Sequence, residues 1–397
     1  EVAFVRLRAS HLPKGIQLIA AGMLLWGFGY GLHAYMFPVY LRSIGCTPQE
    51  IGFVFSISMA VMAASSIPGG VLADKYNRRK VVLMSWIMGV PSVILYYFAQ
   101  DWKTAALGIA LYSGSMLGYP ALNAYAGACS REGESGLAFG LISAGFSGGM
   151  IASPLLAAYL ANIWPIRNLF LISFVFFAAA CCVMAFLPPE PADTSVASVS
   201  TYSSLLANRR FMQFILIYSL CAFAFYMVQQ IIPQYLSDVR QTSISIVSLL
   251  GSLMSLGQTL ITIVVSRMAD RKGILVAVGV NAMVFVASML CFISIPGQVA
   301  VVVCLFLLGG FMAGHGVAFA GVGEILGKGA DGKAFALFNL ATWGMSIVGP
   351  YLGGLFYSFS KNMPFYTASL FLVVGGLMLI RQGSTIHVVE EVLNRQG

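Results

Sequence analysis

Charge is scarce in this sequence: Lys, Arg, Asp and Glu make up 9% of its 397 residues, against roughly 25% in soluble domains. A water-soluble fold is excluded, because a globular surface of this size needs far more charged material to coat it. No cluster of Lys or Arg is interleaved with aromatics, so the net charge of +8 does not mark a nucleic-acid partner. Cysteine is sparse and odd in number. The seven residues Cys46, Cys129, Cys181, Cys182, Cys221, Cys291 and Cys304 show no CxxC pair and no metal-ligand spacing, and read as reduced packing residues. HExxH and Walker loops are missing as well, so no enzyme activity, cofactor or metal site is expected.

What is abundant is apolar. Hydrophobic residues reach 59% and the mean hydropathy is +0.86, so lipid must solvate most of the exterior. Glycine is also rich, 42 residues without a Gly-X-Y period, which suits close helix packing in a bilayer. Apolar runs of about 20 residues, the length that crosses the hydrocarbon as helix, recur along the chain. Twelve are expected, near 15–41, 49–73, 79–99, 104–128, 137–162, 168–187, 211–237, 243–268, 274–295, 298–323, 334–358 and 364–381. Their continuity disfavours a β-barrel, whose strands alternate over ten residues. Glu1 in place of Met is expected of a trimmed N-terminus, and the first run can itself direct insertion.

The long polar connector 188–210 divides the chain into six-span halves, 1–187 and 211–397. With both termini and the connector on one side, that side collects 17 of the 22 Lys and Arg; only Arg42, Lys103, Arg167, Arg240 and Lys361 lie opposite. The positive-inside rule makes the richer side cytoplasmic, and a plasma (inner) membrane location is expected. The halves also repeat. An offset of 196 relates Asp74 to Asp270, Gly118 to Gly314, Gly148 to Gly344 and Pro154 to Pro350, while an offset of 195 aligns Pro38-Val39-Tyr40-Leu41 with Pro233-Gln234-Tyr235-Leu236. Duplicated six-helix halves are a common plan of secondary transporters.

The loop after span 2 reads Gly70-Val71-Leu72-Ala73-Asp74-Lys75-Tyr76-Asn77-Arg78-Arg79-Lys80, and its mate after span 8 reads Ser266-Arg267-Met268-Ala269-Asp270-Arg271-Lys272-Gly273. This resembles the cytoplasmic signature of the major facilitator superfamily, with Asn77 where the family has a second glycine. Asn tolerates the left-handed turn that glycine would supply. The resemblance implies an all-α membrane protein of twelve transmembrane helices in two pseudo-symmetric six-helix bundles. It also implies a gate at Gly70, Asp74, Lys75, Arg78, Arg79, Asp270 and Arg271, with Asp74 and Arg78 latching the outward-facing state. Span 11 carries Gly349-Pro350-Tyr351-Leu352-Gly353-Gly354, similar to the bend that family exporters carry in span 5; here it reads first as packing and hinge.

No Asp or Glu lies mid-span; Glu324 sits at the rim of span 10. The ionisable groups left inside are His33 and His315, on helices that line the cavity in that family, and they are the candidates for proton coupling with Glu324 in reserve. Trp26, Tyr30, His33 and Phe37 share one face of span 1, and Tyr112, Ser115, Tyr119 and Asn123 share one of span 4. Tyr218, Tyr226, Gln229 and Gln230 on span 7 and Asn339 and Trp343 on span 11 complete the candidate lining.

With no fixed cavity charge to pair an anion or dication, the expected substrate is a small neutral, zwitterionic or amphipathic organic solute. It would be moved by alternating access, with protons as the candidate coupling ion, by a chain functional as a monomer. Drug-type efflux and nutrient uptake both fit. The alternatives are a facilitative uniporter and a non-transporting receptor on the same scaffold. The orientation is testable: a single cysteine placed at 195 in a cysteine-free background should resist an impermeant thiol reagent added outside intact cells, and labelling there overturns the assignment.

Overall fold

Several prolines within the apolar runs coincide with helix breaks, although Pro68 and Pro154 lie inside continuous helices. Proline lacks the N–H that would bond the carbonyl four residues earlier, and its ring crowds that carbonyl. In the computed structural model the helix Lys14–Ala34 stops four residues before Pro38, and Phe37–Ser43 resumes. Arg209–Gln229 likewise stops four residues before Pro233, and Ile231–Asp238 resumes. These prolines are repeat mates, so both halves break their first helix at the same place. Pro350 follows the break between Gly332–Met345 and Val348–Phe359. Pro91 opens the second piece of span 3, after Arg78–Gly89, and Pro120 follows a 3-10 turn, Ser115–Gly118, inside span 4.

The structure describes residues 13–130, 135–189, 201–326 and 332–396, with the side chains of Asp74, Glu324 and residues 384–396 outside that description. Among the described residues twelve helical spans are long and apolar enough to cross a membrane. They are Lys14–Ser43, Pro48–Ala73, Arg78–Phe98, Trp102–Cys129, Leu137–Leu160, Asn168–Ala185, Arg209–Asp238, Ile244–Lys272, Ile274–Ser294, Gln298–Gly323, Lys333–Phe359 and Met363–Gly383, called spans 1 to 12. The expected connector lies partly outside the described residues; its end forms a short helix, Tyr202–Ala207, closed by a Thr201/Ser204 capping box. The last helix continues past span 12 to Gln396. Between spans 3 and 4, Asp101 Oδ1 accepts from the Thr104 backbone N–H at 2.9 Å, and that bond holds the Asp101 carboxyl below its ordinary pKa.

The chain divides into two compact units. One comprises Glu1–Cys46, Ala64–Ala197 and Thr242–Ser252, and the other Thr47–Ala63, Ser198–Gln241 and Leu253–Gly397. The start of span 2 therefore packs with later spans, and the start of span 8 with earlier ones. In the first unit Ser248 Oγ donates to the Pro154 carbonyl at 2.9 Å, and Ser245 Oγ donates to Asn162 Oδ1 at 2.6 Å. In the second, Gln49 Nε2 donates to Tyr351 Oη at 2.7 Å, and Ser56 Oγ accepts from Tyr351 N at 3.1 Å. The internal repeat reappears in these contacts: Gly52, the mate of Ser248, lies against the carbonyl of Pro350, the mate of Pro154.

Span 1 meets span 5 at backbone distance. A Cβ at Gly149 would collide with the Leu24 carbonyl, the Phe28 N–H and Gly27, whereas one at neighbouring Gly148 would touch only the end of Leu24. The cost of such overpacking is roughly 1–3 kcal/mol. Gly149→Ala should therefore lower the thermal midpoint of the purified protein by several degrees while Gly148→Ala leaves it near wild type. Equal midpoints would mean that spans 1 and 5 are not in backbone contact.

Candidate functional site

The first unit gathers an aromatic stack. Tyr30 and Tyr112 lie parallel, centroids 5.0 Å apart at 6°. Trp26 stacks on Phe177 at 4.2 Å and 18°, and lies 6.2 Å from Tyr112 at 16°. Beside the stack is a cavity of about 160 Å³ walled by the rings of Trp26, Trp86, Tyr112, Tyr119 and Phe146. Met23, Met116, Leu122 and Ser115 complete its lining. Tyr119 is 43% exposed and has Asn123 beside it. The 3-10 turn that precedes Pro120 brings Ser115, Met116 and Tyr119 to this wall.

His33 and Phe37 share the sequence face of Trp26 but point elsewhere. His33 is 3% exposed, ringed by Phe37, Tyr96, Phe170 and Phe177 with centroids 5.5–6.4 Å away. Its Nδ1 is 3.1 Å from Ser173 Oγ. The Ser173 hydroxyl in turn lies 3.0 Å from the Leu169 carbonyl, and the His33 ring also bonds the Gly29 backbone, so both of its polar contacts are to neutral groups within the packing. Phe37 packs on Tyr96 at 4.5 Å. Phe37 lies beyond the break at Tyr35 and Met36, where the helical face no longer continues, whereas His33, still within Lys14–Ala34, keeps an edge contact with Tyr30 at 5.7 Å.

In the second unit Tyr218 Oη lies 2.9 Å from His315 Nδ1. Phe338 stacks on Tyr218 at 5.4 Å and lies 5.9 Å from His315. His315 is half-buried. A void of only about 10 Å³ adjoins Tyr218, Cys221 and Asn281, near the minimum that a water occupies. Tyr226 is buried with Trp343 beside it, and Asn339 is half-buried while Gln229 is exposed. Gln230 is committed to structure: its Nε2 donates to the Pro350 carbonyl at 3.0 Å, bracing the bend of span 11.

The basic residues of the Asp74 loop have local work. Arg79 Nη2 donates to the Ala185 carbonyl at 2.6 Å, capping the last turn of span 6. Arg78 Nε reaches the Ala73 carbonyl at 3.4 Å. Gly70 is half-buried, Lys75, Asp270 and Arg271 are exposed, and the side chains of Asp74 and Glu324 lie outside the described residues. Asn77 does not adopt the left-handed turn expected of it. Its φ is −57°, and its side chain accepts from Lys80 N as the N-cap of span 3; its repeat mate Gly273 is the residue with positive φ, +83°.

Sequence reasoning missed Trp86 and Phe146 in the cavity wall and Ser173 beside His33. Trp86 carried a usable signal, being a tryptophan mid-span rather than in the interfacial belts where that residue concentrates.

Twelve spans, duplicated proline breaks and an uncharged aromatic cavity define a polytopic membrane transporter. The Major Facilitator Superfamily model matches residues 19–341, and the chain belongs to that family. It is 24% identical over 402 aligned residues to the multi-drug resistance efflux pump PmrA of Streptococcus pneumoniae serotype 4, covering 94% of this chain and 96% of that protein. It is 25% identical over 386 residues to the multidrug resistance protein MdtG of Klebsiella pneumoniae, covering 90% and 89%. The solved nucleoside transporter NupG shares the fold at TM-score 0.76 with 13% identity, covering 94% of this chain and 99% of that one. The human organic anion transporter MFSD10 does so at TM-score 0.69 with 15% identity, covering 93% and 100%.

The capping role of Asn77 separates two substitutions. Asn77→Ala should cost about 1 kcal/mol and Asn77→Gly only a few tenths, read as thermal midpoints of purified protein. A Gly variant more stable than wild type would restore the left-handed reading.

Proposed function

We propose that this chain is a secondary exporter that moves a small neutral, zwitterionic or amphipathic organic solute by alternating access. The observation that carries the reading is the uncharged aromatic cavity, in a chain similar over nearly its whole length to two multidrug pumps. With no carboxylate or guanidinium in its lining, the cavity selects by shape, stacking and hydrogen bonding rather than by ion pairing. The two bundles, residues 1–187 and 211–397, would rock about the solute while 188–210 joins them on the cytoplasmic side of the plasma membrane, the chain working as a monomer. The Ser248–Pro154, Ser245–Asn162 and Gln49–Tyr351 bonds would break when the side remote from Asp74 opens. Asp74, Arg78, Asp270 and Arg271 would serve the opposite gate.

Proton coupling, in this reading, rests on His315 rather than His33. His315 is half-buried, less enclosed than His33, and pairs with one neutral polar group, Tyr218. His33 is buried beside Ser173 among aromatic rings, so charging it would strand a cation in apolar packing. The test uses proteoliposomes given an uncharged fluorescent dye with no group that titrates near neutral pH, under an imposed pH gradient, with protein-free liposomes as the blank. His315→Gln should abolish gradient-driven accumulation while dye exchange survives, and His33→Gln should retain accumulation at lower thermal stability. Undiminished accumulation by His315→Gln refutes the coupling assignment, and a wild type that moves no dye in either direction refutes the exporter.

A further inference from the structure

The cavity of the first unit has a shape and a chemistry more specific than an apolar hollow. The nearly parallel planes of Tyr30, Tyr112, Trp26 and Phe177 form a stack, and Trp26 and Tyr112 of that stack, with Trp86, line the void. Its volume, about 160 Å³, is close to that of an engineered apolar cavity of about 150 Å³ that holds benzene. Next to it spans 3, 1 and 4 pack closely at Gly89, where a Cβ would lie 3.0 Å from both Trp26 Cη2 and Ser115 Cβ. The hydroxyl of Ser115 donates to the Tyr112 carbonyl at 2.6 Å, so its lone pairs remain to accept a bond from an occupant. Met23 and Met116 supply polarizable thioethers, which favour contact with an aromatic ring.

We propose that this cavity is a slot for one flat, uncharged aromatic ring, of one or two fused six-membered rings, carrying an O–H or N–H that donates to Ser115 Oγ. The proposal rests on the exporter reading only in taking the ring to be part of the transported solute. Ring faces align with the existing stack, where offset-parallel geometry gives aromatic pairs an attraction beyond area burial. A saturated ring of equal size lacks that term, and its chair thickness fits the layer spacing less well.

The probe is radiolabelled 2-naphthol, with binding read by scintillation proximity on purified full-length protein and non-saturable uptake subtracted with excess unlabelled probe. Saturable binding of one probe per chain is expected, displaced by phenol and not by cyclohexanol at the same concentration. Met116→Trp, which fills the void with an indole, should weaken binding about tenfold or more. Ser115→Ala, a far milder change, should weaken 2-naphthol about threefold and leave 2-methoxynaphthalene, which has no O–H, unchanged. Equal displacement by phenol and cyclohexanol overturns the slot. Unchanged 2-naphthol affinity in both variants does the same. No gradient is applied, so failure here and failure of the dye-accumulation assay are separate results.

Discussion

A proline in hydrocarbon leaves a carbonyl without its helical partner where no water can replace it, and several functional candidates sit where this chain handles that constraint. His33 sits in the last turn of the helix that Pro38 terminates. Gln230 occupies the break that Pro233 imposes, and from there its amide braces the Pro350 carbonyl of span 11. Pro120 follows the 3-10 turn that turns Ser115 and Met116 toward Trp26. Breaks in membrane helices are tolerated where neighbouring side chains answer the freed groups. The chain uses them to re-aim side chains that an uninterrupted helix would have placed elsewhere.

This constraint also explains what was legible in the sequence. Spans, duplicated halves and the Asp74 loop depend on hydropathy and fixed offsets, both local properties of the chain, and twelve spans fall where the apolar runs predict them. The face containing Trp26, Tyr30, His33 and Phe37 follows from unbroken 3.6-residue periodicity, and Trp26 and Tyr30 do share Tyr112. Phe37 lies beyond the break, and His33, still on the helix, turns into the packing of spans 3 and 6 rather than the cavity. Trp86, Phe146 and Phe177 enter the aromatic assembly from spans 3, 5 and 6, and no periodicity within one helix reports which ring of a neighbour it will meet. Asn77 is a different kind of miss: the same residue type serves both the left-handed turn and the N-cap, and only backbone geometry separates the two.

Closeness of backbones and scarcity of charge belong together. Lipid offers no hydrophobic drive for helices to associate, so association depends on packing and on small residues that admit close approach. The span 1 and span 5 contact at Gly149 supplies this without a polar side chain. Within each unit several polar side chains are spent on backbone carbonyls: Gln230 on Pro350, Ser248 on Pro154, Arg79 on Ala185. Such bonds fix geometry without leaving a buried charge to be paired. The cavity can therefore stay neutral while the scaffold around it is held in register.

The repeat is faithful in scaffold and divergent in chemistry. Pro38 and Pro233 break equivalent helices, and Gly52 and Ser248 meet the carbonyls of mated prolines. Yet Tyr119 in the first unit corresponds to His315 in the second. One borders an aromatic void of about 160 Å³; the other pairs with Tyr218 beside a void of about 10 Å³. A single ancestral position thus carries a ring that can border a solute on one side and a titratable ring on the other. Under the proposed mechanism this separates recognition from coupling. Solute binding would then draw on stacking and shape, which are insensitive to pH, while proton binding would draw on an imidazole whose charge need not touch the solute to bias the conformational equilibrium.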